Sequence, residues 1–200
     1  MSRDVIDHYD RLICEGNDPV LDPPELRAYM DLWDGQLFLD MLHLNSDARV
    51  LEIGCGTGRL AVRVAPVVKH FFGIDISPKT VAKAKVHLPY DHVCLICDDF
   101  LEHTFDVLFD VIYASLTFLH IQDKEKAFAH VAELLAPGGR FVLSIGKDRA
   151  ERLVYGERSL PIYPDAPESV IAHLTKNGLT HVTVRESEFA YIVAATRREC

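Results

Sequence analysis

Three glycines at alternate positions, Gly54, Gly56 and Gly58, follow an apolar run, residues 50 to 53, that carries a single acid, Glu52. Glycines so spaced let a chain turn sharply after a strand and bring its backbone close to a ligand, and a helix opening beyond them offers free N–H groups to an anion. The chemistry implied is capture of a flat or anionic ligand. A dinucleotide fingerprint needs GxGxxG. Counted from Gly54 its third glycine falls on Arg59, and counted from Gly56 it falls on Ala61, an alanine that some dinucleotide enzymes accept. Nicotinamide binding is the least favoured reading and stays open.

Other reactive types cluster at the ends of apolar runs. Asp75 closes the run 70 to 74, and Asp98 and Asp99 close the run 93 to 97. Tyr113 stands near the end of the run 108 to 114, and Ser115, Thr117 and His120 follow it. Cys94 and Cys97 form a CxxC flanked by His92 and His103, a spacing that suits zinc or redox chemistry in other settings. On a strand, positions i and i+3 point to opposite faces, and a buried central strand leaves no room for a tetrahedral ion, so no metal is expected. Cys55 is read as a small packing residue of the glycine loop.

These residues need a scaffold, and the pattern supplies one. From residue 48 short apolar runs alternate with stretches of helical spacing, the signature of strand-helix-strand units on a parallel sheet. Five runs, at 49 to 53, 70 to 74, 93 to 97, 108 to 114 and 140 to 145, are predicted as strands of the sheet's middle, covered on both faces. Ser77 before Pro78 predicts a helix start, and Ala127, Phe128, Val131, Leu134 and Leu135 form one apolar helical stripe. A last helix is predicted from a capping box at Asp165 and Glu168 to about Gly178. The runs 180 to 185 and 189 to 196 are separated by three residues, which permits only an antiparallel hairpin. Ahead of the sheet, apolar residues at helical spacing between Val5 and Met41, broken by turns at 17 to 19 and at Asp34-Gly35, predict helices across the sheet's ligand edge.

Glu52-x-Gly-x-Gly-x-Gly after a first strand, with Asp75 closing the second strand and Asp98 the third, resembles the class I methyltransferases that use S-adenosylmethionine. The run Leu134 to Ile145 resembles that family's approach to its fifth strand, and the terminal antiparallel pair is also like the family, so the similarity spans residues 48 to 196. The resemblance implies that Gly54, Cys55, Gly56 and Gly58 pack under the methionine part of the cofactor and that Glu52 orders this loop and reaches toward the amino group. It further implies that Asp75 takes the two ribose hydroxyls and that Asp98, with Asp99 and Phe100 beside it, faces the adenine. Ile76 and Phe100 suit the purine face, and Ser115 stands at the fourth strand's end. S-adenosylhomocysteine is the implied product. His120 is the candidate general base, being the one group there that ordinarily titrates near neutrality, although alignment alone can drive methyl transfer from a sulfonium. Tyr9, Tyr29, Trp33, Tyr113, Thr117 and Tyr155 are candidates for the acceptor pocket.

Base methylation is disfavoured. Asp22-Pro-Pro-Glu25 departs from the Asp/Asn-Pro-Pro-aromatic signature of enzymes acting on exocyclic amines, and no Pro-Cys pair is present. With 21 basic against 30 acidic residues the net charge is −9, a field that repels phosphate backbones, so nucleic acid is a disfavoured partner. Hydrophobic residues at 48% and charged residues at 26% over 200 positions suit one globular domain. We read a helical cap over 1 to 47 and a cofactor-binding core over 48 to 200. No apolar run approaches the roughly 20 residues of a membrane span, the charged start is unlike a secretory signal, and the five cysteines, Cys200 included, read as free thiols. A cytoplasmic protein is expected. The sequence therefore predicts a doubly wound, mostly parallel seven-stranded α/β sheet with a C-terminal antiparallel hairpin and N-terminal capping helices, transferring methyl from S-adenosylmethionine to a small-molecule acceptor. The alternatives are methylation of a protein or RNA, a non-catalytic cofactor-binding protein and an oxidoreductase. The oligomeric state is left open.

Overall fold

The computed structural model describes residues 3–199, so Cys200 lies outside the described residues. Seven strands form the main sheet: β1 (Arg49–Ile53), β2 (His70–Asp75), β3 (Val93–Cys97), β4 (Phe109–Ser115), β5 (Leu135–Gly146), β8 (Leu179–Glu186) and β9 (Ala190–Arg197). Their order is β3-β2-β1-β4-β5-β9-β8. The first five run parallel; β9 joins β5 antiparallel and closes the C-terminal hairpin with β8. A separate two-stranded hairpin, β6 (Arg152–Tyr155) with β7 (Arg158–Pro161), carries the acceptor-pocket candidate Tyr155. The chain order reverses between β1 and β4, and in open parallel sheets that switch is where a crevice opens outside the strand carboxyl ends.

Side chains alternate across the central strands and feed two apolar layers. Leu51, Ile112 and Phe141 join Phe128 and Val131 of α6 (Lys124–Leu134) and Leu174 of α7 (Pro167–Lys176) on one face. Val50, Tyr113 and Val142 join Phe38 of α3 (Gln36–Met41) and Val64 of α4 (Ala61–Val64) on the other. Phe38 and Leu42 are fully buried there, so the N-terminal cap is not separable from the core at residue 47. α1 (Arg3–Cys14) packs on α5 (Pro78–His87), and α2 (Pro24–Asp34) crosses toward β5 and β9.

Ser77 caps α5 by accepting from the Thr80 N–H, as its sequence promises. Several details differ from expectation. β3 is an edge strand, not a central one, and Cys94 and Cys97 are exposed, so burial gives no ground for excluding a ligand there; among the described residues no group of three His, Cys, Asp or Glu is placed to hold a metal. α7 begins one residue after Ala166 without a side-chain cap, because Asp165 accepts from Lys124 Nζ at 2.6 Å instead. The glycine loop opens only the four-residue α4, too short to present a helix N-terminus to an anion. Among the described residues no helix is long and apolar enough to cross a membrane.

Candidate cofactor and acceptor site

A cavity of about 240 Å³ opens over the carboxyl ends of β1, β2 and β4. Its floor is the glycine loop. Gly54 has φ +74, and a Cβ there would drive into the Thr117 side chain, so only glycine permits the loop to meet the turn after β4 this closely. Gly56 donates its N–H to Asp75 Oδ2 at 2.9 Å, which ties the loop to the end of β2. Cys55 packs its Sγ against the position where a Gly73 side chain would stand, and burial pushes its thiol well above the ordinary range. The side chain thereby packs the glycine loop against β2.

Four carboxyl groups surround this floor in different states. Glu52 is buried, accepts one hydrogen bond from the Tyr113 hydroxyl at 3.0 Å, and is pushed up to about 8 by burial, with the Tyr113 hydrogen bond and Arg59 opposing and the carboxylates of Asp34 and Asp75 adding to the rise. Asp75 is raised by burial as well, against the hydrogen bonds it accepts from the backbone of Ser77 and Gly56 and from Thr80 Oγ1. With the Ile76 backbone N–H also favouring the ionised form, Asp75 is held at the end of β2 by donors from the glycine loop and the start of α5. Asp98 is half exposed at the rim and is held low by the His103 imidazole at 2.8 Å and the Asp99 N–H.

The fourth acid comes from the N-terminal helices and was not anticipated. Asp34, the last residue of α2, has no exposed surface, and its Oδ2 accepts from both Arg59 and Ser115. It thereby joins α2, the glycine loop and the end of β4. In the sequence the Asp34-Gly35 pair signals only a turn, and Arg59 registers only as a break in the dinucleotide pattern.

Tyr9 of α1 reaches over the cavity to His120, in the single helical turn after β4, with its hydroxyl 2.7 Å from Nε2. Lys124 Nζ fixes that turn by donating to the Phe118 carbonyl at 2.6 Å and to Asp165. Burial, followed by the positive fields of His8 and Lys124, lowers His120 to about 4. At neutral pH its ring is therefore uncharged, and it is a weaker base than its sequence position implied. His120 Nδ1 and Thr57 Oγ1 are buried with no partner among the described residues, and both residues line the cavity. Buried polar atoms are nearly always paired, so two orphans in one cavity mark it as built for a ligand.

Of the sequence candidates, Glu52, Gly54, Cys55, Gly56, Asp75, Ile76, Asp98, Phe100, Ser115, Tyr9, Thr117 and His120 line this space. Gly58 and Asp99 do not: Gly58 faces Leu88, and Asp99 Oδ1 accepts from the Leu101 N–H. Tyr113 lies beneath the cavity, reaching it only through Glu52. Tyr29 packs outside it at a tilt against Phe189, and Tyr155 braces the β6–β7 hairpin against His8 and under the Arg158 guanidinium. Trp33 belongs to a second cavity.

A methyltransferase domain family matches residues 51–143. An uncharacterized methyltransferase of Anoxybacillus flavithermus is 30% identical over 148 residues, which cover 72% of this chain and 68% of that protein. Phosphoethanolamine N-methyltransferase 1 of Triticum aestivum is 33% identical over 115 residues, 54% of this chain; the chain spans about a fifth (22%) of that relative's length. Among solved structures, the N-methyltransferase NodS from Bradyrhizobium japonicum in complex with S-adenosyl-L-homocysteine superposes with a TM-score of 0.74 at 23% identity, over 98% of this chain and all of NodS. At that identity the last match speaks for the fold.

Proposed function

The chain belongs to the class I S-adenosylmethionine-dependent methyltransferases, and we propose that it transfers methyl to a small-molecule acceptor whose nucleophile sits between the glycine loop and His120. The observation that carries this reading is the single cavity in which a buried acid, a glycine floor, an acid at the end of β2 and an aromatic wall face a hydroxyl–imidazole pair delivered from α1 and β4.

The residues present fit the cofactor. Glu52 offers a buried carboxyl to the ammonium group, Asp75 stands at the end of β2 for the ribose, and Ile76 and Phe100 supply apolar surface for the purine beside Asp98. When bound, S-adenosylmethionine supplies an electrophilic methyl on a cationic sulfur. The chain's own contribution is alignment and exclusion of water. Tyr9 covers the cavity and holds the His120 ring, and in the tautomer whose Nε2–H donates to the Tyr9 oxygen, uncharged His120 offers Nδ1 as the acceptor that aims an N–H or O–H nucleophile. Fixing two reactants in line is worth a large share of a bimolecular barrier.

Calorimetric titration with S-adenosylmethionine, S-adenosylhomocysteine and NAD tests the cofactor, and labelled-methyl transfer to a panel of small amines and hydroxyl compounds tests the reaction. Binding of both sulfur nucleotides and label in a small product is the expected outcome; binding of NAD alone overturns it.

A further inference from the structure

The first cavity ends at Leu116, and a second cavity, of about 440 Å³, begins on the other side of that residue. Leu116 has φ +54, a left-handed conformation that a leucine adopts only when its surroundings impose it, and such outliers gather at ligand sites. The second space is walled by Trp33, Leu119, Ile145, Leu153 and Ile162. Gly146 makes the Trp33 wall possible, because a Cβ there would stand 3.1 Å from the indole ring.

The acids and the serine lining it are engaged, while the Arg152 charge has only neutral partners. Asp165 accepts from Lys124, Asp148 accepts from the Ala150 N–H, and Ser144 donates to the Trp33 carbonyl. Arg152 donates Nε to Ser159 Oγ at 2.7 Å and Nη2 to the Ser159 carbonyl. In the first cavity the one guanidinium, Arg59, is paired with Asp34. A flat apolar body finds an indole and aliphatic walls in a volume typical of ligand pockets, which run from about 300 to 1,000 Å³, with the Arg152 guanidinium as the one cation among the second cavity's lining residues.

Resting on the methyltransferase reading above, we propose that the second cavity holds the body of the acceptor and that this body is apolar, presenting an uncharged amine or hydroxyl past Leu116 to the cofactor side. The acceptor's lone pair forms the new bond to the methyl carbon as the carbon–sulfur bond breaks with its electron pair to sulfur, and the acceptor's proton leaves to water.

The test uses the full chain saturated with S-adenosylhomocysteine and the neutral fluorophore N-phenyl-1-naphthylamine, titrated against wild type, Ile162→Glu and Ala150→Trp, with labelled-methyl transfer to phosphoethanolamine measured alongside. The expected result is saturable single-site fluorescence enhancement, at least tenfold weaker binding in both variants with S-adenosylhomocysteine affinity within twofold of wild type, and no phosphoethanolamine turnover. Ala150 is exposed, so its replacement serves if the Ile162 variant fails to fold. Absence of saturable enhancement, indifference of the probe to both variants, or methylation of phosphoethanolamine overturns the proposal. Failure of S-adenosylhomocysteine to bind wild type is a separate result and overturns the reading on which it rests.

Discussion

Glu52 makes capture of a cationic cofactor a proton-releasing event. Its carboxyl is 4% exposed, accepts one hydrogen bond from Tyr113, and is pushed up to about 8 by burial. At pH 7 such a group is about nine-tenths protonated. An ammonium brought to within about 4–6 Å favours the ionised form. Return to an ordinary carboxylate value on binding then releases ~0.9 proton at pH 7 and ~0.5 at pH 8, and strengthens apparent affinity about 15-fold between pH 6.5 and 8. Calorimetry of S-adenosylhomocysteine binding in phosphate, Hepes and Tris, whose ionisation enthalpies differ, reads the released protons directly. Glu52→Gln keeps an acceptor for Tyr113 and should abolish both the release and the pH slope. Its effect on the free protein has a defined sign: the folded value lies above the unfolded one, so between pH 4.5 and 8 the folded state binds the extra proton and stability falls as pH rises. Glu52→Gln should therefore stabilise the free protein by about 3 kcal/mol at pH 7 while weakening cofactor binding. Proton release below ~0.2 at pH 7 together with pH-independent affinity would refute the assignment of Glu52 to the ammonium group.

Asp75→Ala should weaken S-adenosylhomocysteine binding by about 1.5–3 kcal/mol, the worth of a hydrogen bond to a charged group; unchanged affinity by calorimetry removes Asp75 from the ribose site. Asp34→Ala strands the Arg59 guanidinium, whose side chain is only 18% exposed, and should cost about 3–5 kcal/mol in urea unfolding, partly recovered in Asp34→Ala with Arg59→Met. A loss under about 1 kcal/mol shows that the pair does not hold α2 to the sheet. His120 has the opposite linkage sign to Glu52: its folded value of about 4 lies below the unfolded one, so from pH 6.5 down to 4 the unfolded chain takes the extra proton and stability falls with acidification. His120→Asn should shrink the stability difference between pH 7 and pH 4.5 by about 2.5 kcal/mol, and an unaltered difference contradicts the buried, uncharged ring.

What the sequence made legible is what local pattern controls. Short apolar runs located β1, β2, β4 and β5, Ser77-Pro78 located the start of α5, and three residues between two strand-like runs forced the β8–β9 hairpin. The glycine loop and Asp75 were found because turn chemistry and strand ends are local. Sheet position was not local: β3 reads as apolar as β2, and only the pairing order places it at the edge. Asp34 was invisible for the same reason. Its partners Arg59 and Ser115 are 25 and 81 residues away, and nothing in an Asp-Gly pair distinguishes a turn from the end of a helix that carries a buried anion. Asp165 looked like a cap because spacing cannot show that Lys124 competes for the same carboxylate. Leu116 carried no signal at all, since a left-handed leucine is imposed by its surroundings and not chosen by its type.

Several polar groups at and behind the cavity oppose folding. Glu52 is buried with one donor, and Asp34 Oδ1, Thr57 Oγ1 and His120 Nδ1 are buried with none among the described residues. Leaving a buried polar atom unsatisfied costs about 1–3 kcal/mol, against a total stability of about 5–15 kcal/mol for a domain. Glu52, Thr57 and His120 all line one cavity, and Asp34 stands directly behind its Arg59 and Ser115 walls. The apolar layers on either side of the sheet contain no comparable concentration of orphans among the described residues. Where every level of a sequence agrees with its fold the chain is explained by folding alone; a concentration of disagreements in one place needs a ligand to satisfy it. An ammonium at Glu52, and an N–H or O–H at His120 Nδ1, are the complements that these particular atoms lack, and both belong to the two molecules a methyl transfer brings together.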